Sequence, residues 1–213
     1  MKKFLCFIVT LTATAVAPAF ADIDINGQFN PGGSTNPPGF TTLAGGSTAI
    51  ADWTVTGDSV DWIGNYWQAP PTGGYSVDLD GNAPGGITQS VDLGAGSYTL
   101  SYYVAGNPDG APSIKDYSVT TGSLTTAMTF DDTGNTKNNM GYVQETVDFT
   151  VATPSFTTIA FASTDNPASA YGAVIGGVSL SQVPEPGFYY QSAAYALGLS
   201  GFLMFVRRKR QSL

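Results

Sequence analysis

Histidine is absent from this 213-residue sequence, and the one cysteine, Cys6, lies in an apolar N-terminal stretch. After residue 21 the chain therefore has no residues for a Ser-His-Asp or Cys-His relay, no nitrogen or sulfur side-chain ligand for zinc, and no disulfide. A glycosidase needs only two carboxyl groups, so a two-carboxylate glycan hydrolase stays open as a remote alternative. Nothing in the sequence singles out an acid/base pair, not even Glu145 in its alternating run. We expect that the protein is not an enzyme.

Positive charge is scarce between the two ends of the chain. Residues 22–182 contain no arginine, and their only basic side chains are Lys115 and Lys137, whereas every acidic residue except Glu185 lies there. A segment this negative repels nucleic acid and anionic lipid surfaces, so we expect no nucleic-acid partner. Neutral sugars and divalent cations are compatible with its charge. A solvated acidic surface without any ligand is the simpler alternative.

The N-terminus has the three parts of a secretory signal. Lys2 and Lys3 precede an apolar stretch over residues 4–16, and Ala19 and Ala21 form an A-x-A cleavage site. Signal peptidase would cut after Ala21. Cys6 lies far from this point, which argues against a lipoprotein signal. The sequence therefore predicts a signal helix and export through the cytoplasmic membrane.

The C-terminus combines a proline motif, an apolar run and a basic cluster. The uncharged run covers residues 188–206, which as a helix reaches about 28 Å and matches a bilayer core of about 30 Å. We predict one transmembrane helix there, with the basic cluster on the cytoplasmic side. The proline motif consists of Val183, Pro184, Glu185 and Pro186, and the basic cluster of Arg207, Arg208, Lys209 and Arg210.

This tail resembles the PEP-CTERM sorting signal, with its Pro-Glu-Pro motif, single hydrophobic span and arginine-rich end in the same order. The resemblance implies that a membrane transpeptidase, the exosortase, recognises and cuts the tail. It further implies delivery to the cell surface or exterior, in the setting of an exopolysaccharide or biofilm matrix. An ordinary single-span anchor is the alternative.

Short runs of alternating apolar and polar residues fill the middle of the chain, separated by Gly- and Pro-rich turns. No window there shows a helical apolar stripe, and Thr, Tyr and Val dominate the runs. This pattern predicts an all-β sandwich or jelly roll. We expect a hairpin at residues 93–97 and a long loop at residues 30–46. The runs cover residues 75–79, 87–93, 98–104, 143–151, 159–161 and 174–180.

A second resemblance rests on ordered motifs across residues 24–181. They include Asn26-Gly27-Gln28-Phe29, Gly57-Asp58-Ser59-Val60-Asp61-Trp62, Pro84-Gly85-Gly86-Ile87 and Val178-Ser179-Leu180. Together they resemble the choice-of-anchor C family of bacterial surface proteins and the related galactose-binding-like domains of plant cell-wall proteins. The resemblance implies a galactose-binding-like jelly-roll β-sandwich. Related sugar-binding jelly rolls often hold a structural calcium, but here Asn30 and residues 175–177 stand where its two carboxylates are expected.

Aromatic residues among acids and amides are the candidate carbohydrate contacts. Flat rings stack on the apolar faces of sugars while neighbouring polar groups bind the hydroxyls. The candidates are Trp62, Tyr66, Trp67 and Asp61. The alternative is that the tryptophans fill the core, which we favour for Trp53 and leave open for Trp62 and Trp67.

Two acidic turns are the candidate metal sites. Asp78 and Asp80, followed by Gly81 and Asn82, resemble the start of a calcium loop, but the later glutamate of an EF-hand is missing. Asp131 and Asp132 form a similar turn, and plain turn chemistry would select the same residues. We therefore expect no resident metal or other cofactor, with Asp78 and Asp80 as the calcium candidates.

The sequence thus predicts three parts: a signal peptide (1–21), a β-sandwich (22–182) and a sorting tail (183–213). We expect a non-catalytic exported protein of the cell surface or matrix, possessing a carbohydrate site for exopolysaccharide. A structural or adhesive matrix protein without a defined glycan ligand is the alternative.

Overall fold

A computed structural model describes residues 21–33 and 35–184 of the chain, and these residues form twelve β-strands. The strands are β1 (Ala21–Ile23), β2 (Phe40–Ala44), β3 (Thr54–Gly57), β4 (Ser59–Ile63), β5 (Ser76–Asp78), β6 (Gly85–Leu93), β7 (Gly96–Gly106), β8 (Ile114–Thr121), β9 (Leu124–Asp131), β10 (Val143–Val151), β11 (Ser155–Ser163) and β12 (Ala173–Val183).

The strands form two antiparallel sheets. One has the order β10-β7-β12-β5-β4-β2, with β1 also paired to β12, and the other has the order β3-β6-β11-β8-β9. The predicted all-β sandwich is therefore confirmed. The ends of β5, β7, β9 and β11 lie with the start of β8 at one end of the sandwich. There Asn107 contacts Asp78 of β5, and the first residues of β8 contact the segments that follow β9 and β11.

Period-two alternation explains why these residues form strands that face a common core. In β7, Tyr98, Leu100, Tyr102 and Val104 are buried, whereas the residues between them are partly exposed. Because successive side chains of a strand point to opposite faces, this pattern places one apolar face against the opposite sheet.

Large aromatic rings fill the space between the sheets. Trp53, which we expected in the core, packs against Phe29 and Phe161 at ring-centroid distances of 5.6 and 6.2 Å. Its indole nitrogen donates to the Ile25 carbonyl over 3.1 Å, so its polar atom is satisfied inside the core. The core prediction for Trp53 is confirmed.

A smaller apolar cluster lies on the other face of the larger sheet. Trp62 belongs to the main core, whereas the next residue, Ile63, contacts Trp67 and Met140 in the second cluster. The loops after β4 and β9 therefore cover part of that outer face. The Gln68 and Met140 backbone amides tie these loops together by donating to the Lys137 carbonyl and the Gln68 side chain.

Two local predictions were wrong. Residues 93–97 do not close a hairpin, because β6 pairs with β3 and β11 while β7 pairs with β10 and β12. Both strands carry a core-facing apolar row, so the turn carries the chain from one sheet to the other. The expected long loop at residues 30–46 contains β2, which pairs with β4 through five residues.

Several predictions on the two ends fall outside the described residues. One residue of the predicted cleavage site is described: Ala21, which begins β1. Two residues of the sorting motif are described: Val183, which ends β12, and Pro184, which follows it. Within residues 21–33 and 35–184 no helix is long and apolar enough to cross a membrane. The predictions outside are the signal and transmembrane helices, Ala19, Glu185, Pro186, Arg207, Arg208, Lys209 and Arg210.

Candidate functional site

The structure separates the four predicted carbohydrate contacts. Trp62 and Trp67 are only 2 % and 7 % exposed, and their indole nitrogens donate to the Phe29 carbonyl and the Ser76 hydroxyl. Neither ring offers a face to a ligand, so for these two residues the structure corrects the prediction in favour of the core. Asp61 is half-buried and accepts a 2.6 Å bond from Thr42, and burial raises its pKa. Only Tyr66 lies at the surface.

Tyr66 forms an exposed ring pair with Phe40 on the outer side of the larger sheet. The two rings meet edge to face at 5.0 Å and are 37 % and 45 % exposed. The Lys137 ammonium lies 3.8 Å from the centre of the Tyr66 ring and contacts its hydroxyl, which donates to Asp109 over 2.8 Å. Lys137 and Asp109 form an ion pair at 2.9 Å. The ring pair is therefore fixed in place and bordered by polar groups.

A shallow basin of about 510 Å³ is lined by residues that neighbour the ring pair along the chain. Two of its lining residues are close to the ring pair in sequence: Asn65 directly precedes Tyr66, and Pro38 lies two residues before Phe40. The Gly64 amide holds the two segments together by donating to the Gly39 carbonyl over 2.8 Å. The basin, called here the asparagine basin, is lined by Asn30, Asn36, Pro37, Pro38, Gly64, Asn65, Gly74 and Tyr75.

The three asparagines of this basin are exposed and their side-chain amides make no hydrogen bond within the described residues. Each amide has two donors and a carbonyl acceptor available. Tyr75 forms part of the wall and packs on the buried Trp62 at 5.5 Å, which holds its ring in place. The basin thus combines free polar groups with fixed apolar surface.

Sequence reasoning missed Phe40 and the asparagine basin. Phe40 follows a Pro- and Gly-rich stretch that predicts loop, and a single phenylalanine there gives no sign of its partner Tyr66. The available signal was the pattern of Thr41, Thr42 and Leu43, which is short but typical of a strand.

Acidic groups gather at the end of the sandwich where β5, β7, β9 and β11 finish. Asp78 is fully buried, and its carboxylate accepts bonds from the Asp80 and Gly172 amides at 3.0 Å and from Asn107 at 2.6 Å. Burial raises the pKa of Asp78, although the Asp80 amide and Asn107 oppose this shift. Three donors nonetheless satisfy both oxygens of this carboxylate.

Asp80 is also fully buried, but neither of its carboxylate oxygens has a hydrogen-bond partner among the described residues. Burial raises its pKa to about 7, and the adjacent Asp165 carboxylate adds to that shift. The Ser163 hydroxyl lies close enough to lower the pKa without reaching hydrogen-bonding geometry. The Asp165 Oδ1 atom accepts from the Asp116 amide at 2.6 Å, whereas its Oδ2 atom has no partner.

The only lysine of this cluster, Lys115, is fully buried and already bonded. Its ammonium donates to the carbonyls of Gly110 and Tyr171 at 2.9 and 2.8 Å and lies 3.4 Å from Asp132. Both carboxylates of the second acidic turn have a structural partner. Asp131 accepts a hydrogen bond from the Thr133 amide, and Asp132 forms an ion pair with Lys115. No group of three or more acidic, histidine or cysteine side chains in the described chain is arranged to hold a metal.

The described residues define an all-β protein, a sandwich of two antiparallel sheets with an exposed pair of contacting rings on the outer side of the larger sheet. The family model described as "Protein of unknown function (DUF642)" matches residues 23–181, so the chain belongs to the DUF642 family. It is also 31 % identical over 155 residues to Halomucin of Haloquadratum walsbyi. That match covers 69 % of this chain and about 2 % of Halomucin, so the chain spans a very small part of this relative's length.

Solved structures share the fold at low sequence identity. The cyclase Fisc from Fischerella sp. TAU is similar with a TM-score of 0.52 and 18 % identity, over 78 % of this chain and 99 % of that one. A family 35 carbohydrate-binding module from Clostridium thermocellum matches with a TM-score of 0.46 and 15 % identity, over 67 % and 99 % of the two chains. The similarity to Fisc shows the sandwich fold alone. Membership of the choice-of-anchor C family and the PEP-CTERM signal stay predictions.

Proposed function

We propose that this chain is a non-catalytic, exported protein of the cell surface or extracellular matrix, with a galactose-binding-like jelly roll that binds carbohydrate of the exopolysaccharide. The observation that carries the proposal is the exposed Phe40–Tyr66 ring pair together with the asparagine basin that neighbours it along the chain. Aromatic faces stack on the C–H faces of sugar rings, and free amides bind the hydroxyls.

The polar groups around the ring pair favour binding over catalysis. Asp109 is the acidic side chain in contact with Tyr66, and it is already paired with Lys137. Glycoside hydrolysis needs two carboxyl groups on either side of the scissile bond. The buried carboxylates Asp78 and Asp80 are shielded from a polymer by the strands and loops around them.

Removing the exposed rings is expected to weaken polysaccharide binding. The full-length chain, purified in detergent because of its apolar C-terminal run, would be titrated against a panel of bacterial and plant polysaccharides. We expect the double variant Phe40→Ala/Tyr66→Ala to bind the preferred polysaccharide at least about tenfold more weakly, or about 1.4 kcal/mol. Circular dichroism would confirm that the variant keeps the fold.

The matched control for this experiment is Phe156→Ala. Phe156 is 77 % exposed but lies on β11 of the opposite sheet, so its removal should leave the affinity unchanged. Equal losses in the control and the double variant would assign the binding to nonspecific apolar contact. Undiminished binding by the double variant would remove the ring pair as the site.

The second candidate function is a structural or adhesive matrix protein that contacts other proteins. The exposed side chains of Leu124 and Phe156 favour it. Leu124 begins β9, and Phe156 lies on β11 two residues before Thr158, whose carbonyl accepts from the Gly122 amide in the turn between β8 and β9. Neither residue lines the asparagine basin. A glycan array separates the two functions. A saturable preference for one sugar supports carbohydrate binding, and its absence together with binding to matrix proteins supports the alternative.

Sorting by the exosortase is part of the proposal and rests on the sequence of the tail. In a host with an exosortase, we expect the unmodified chain to lose its tail and reach the cell surface or medium. Replacing Pro184, Glu185 and Pro186 by alanine should leave the full-length chain in the cytoplasmic membrane, as fractionation and immunoblotting would show. An unmodified chain that keeps its tail in the membrane would contradict the sorting proposal.

A further inference from the structure

At the end of the sandwich, three buried carboxylate oxygens of two neighbouring aspartates have no hydrogen-bond partner among the described residues. Two belong to Asp80 and one is the Oδ2 atom of Asp165. Both side chains are more than nine-tenths buried. An unpaired buried carboxylate is costly, because removal from water is not offset by donors or by an opposite charge.

The neighbouring groups do not supply what these oxygens need. The Lys115 ammonium donates to two backbone carbonyls and forms an ion pair with Asp132 at 3.4 Å. It makes no hydrogen bond to Asp80, although its charge lowers the pKa of that carboxyl. The Asn107 side chain donates to Asp78, and the nearby amides of Gly172 and Asp116 donate to Asp78 and to the other oxygen of Asp165. The remaining nearby donor, the Ser163 hydroxyl, does not reach hydrogen-bonding geometry with Asp80, and its single proton could serve only one of the two Asp80 oxygens.

A shared proton would satisfy only part of this arrangement. It would link one oxygen of Asp80 to one of Asp165, leaving the second Asp80 oxygen unpaired and one negative charge buried. A divalent cation would neutralise both carboxylates and bind all three oxygens at once. We propose that Asp80 and Asp165 bind one Ca²⁺ ion at this end of the sandwich.

The ligand chemistry selects calcium among divalent ions. With two carboxylates and no nitrogen or sulfur ligand in the cluster, the site suits a hard cation rather than zinc. Calcium accepts six to eight oxygens in irregular geometry, so two side chains can be completed by the adjacent Ser163 hydroxyl, carbonyls and water. The ion would join the turn after β5 to the segment after β11, and thereby the two sheets.

Calcium titration of the full-length chain in detergent tests this proposal. By calorimetry we expect one saturable site, with a dissociation constant of about 0.1–1 mM as in extracellular modules, and a higher Tm in calcium than in EDTA. Asp80→Asn removes one ligand charge, so it should weaken calcium binding at least about tenfold and abolish the Tm increase. Asp92→Asn removes the same charge from an exposed position of β6 and should leave both quantities unchanged.

Two outcomes would overturn the proposal. One is the absence of saturable calcium binding by the unmodified chain, and the other is an unchanged affinity in Asp80→Asn. If that variant fails to fold, crystals of the unmodified chain soaked in Tb³⁺ give the answer. An anomalous peak between Asp80 and Asp165 supports the site, and a peak only elsewhere rejects it. Carbohydrate binding is measured separately, so failure of one proposal does not decide the other.

Discussion

Lys115→Met is expected to lower the free energy of unfolding by about 3–5 kcal/mol. Lys115 is fully buried, and its ammonium joins Asp132 to the carbonyls of Gly110 and Tyr171. Methionine retains an unbranched apolar stem but removes the charge and all three donors. Asp132 then stays buried without its cation, and two carbonyls lose their partner. Urea unfolding of the full-length chain, followed by tryptophan fluorescence, would measure the loss.

Lys137→Met is the matched control for this variant. Lys137 also forms an ion pair, with Asp109 at 2.9 Å, but at the protein surface, where such pairs contribute about 0–1 kcal/mol. The double variant Lys115→Met/Asp132→Leu should recover part of the stability, because it removes the unpaired carboxylate as well. A Lys115→Met variant as stable as the unmodified chain would show that the buried pair contributes no net stability.

Strands that face one core were readable from the sequence. In β10, Val147 and Val151 are buried at even spacing, and the predicted run coincides with the observed strand Val143–Val151. In β8 the inward row begins with Lys115 and ends with Thr121, so the apolar alternation is reduced to Tyr117 and Val119. A buried lysine can be recognised only after its acceptors are known, and these come from segments more than fifty residues apart.

The candidate sites were readable only in part, for a similar reason. Tyr66 was predicted as a surface contact, but its partner Phe40 comes from a strand that the sequence concealed. Asp80 belongs to a visible acidic turn, whereas Asp165 gives no local signal and reaches Asp80 only because β5 and β11 end at the same end of the sandwich. The local sequence pattern identified Tyr66 and Asp80, one residue of each pair. Phe40 and Asp165 could be identified only from the strand topology, which brings them to their partners.

Because Trp62 is buried, its replacement is the second change for which we expect a large loss of stability. Its ring fills the main core and supports Tyr75, and its indole nitrogen donates to the Phe29 carbonyl over 3.1 Å. We expect Trp62→Ala to lower the free energy of unfolding by about 3–5 kcal/mol, because it leaves a large cavity and an unpaired buried carbonyl. Trp62→Phe retains most of the packing and should lower the free energy of unfolding by less, about 1–2 kcal/mol.

Tyr66→Ala separates this core role from a surface role. Tyr66 is exposed, so its loss should cost about 1 kcal/mol or less while weakening polysaccharide binding. Trp62→Phe should show the opposite behaviour, with reduced stability and unchanged affinity of the folded chain. If Trp62→Phe instead lost polysaccharide binding at full stability, Trp62 would be a ligand contact. Its buried ring would then have to become exposed when the sugar binds. Denaturant unfolding and polysaccharide titration on the same samples distinguish these cases, because core packing and ligand contact predict opposite pairs of results.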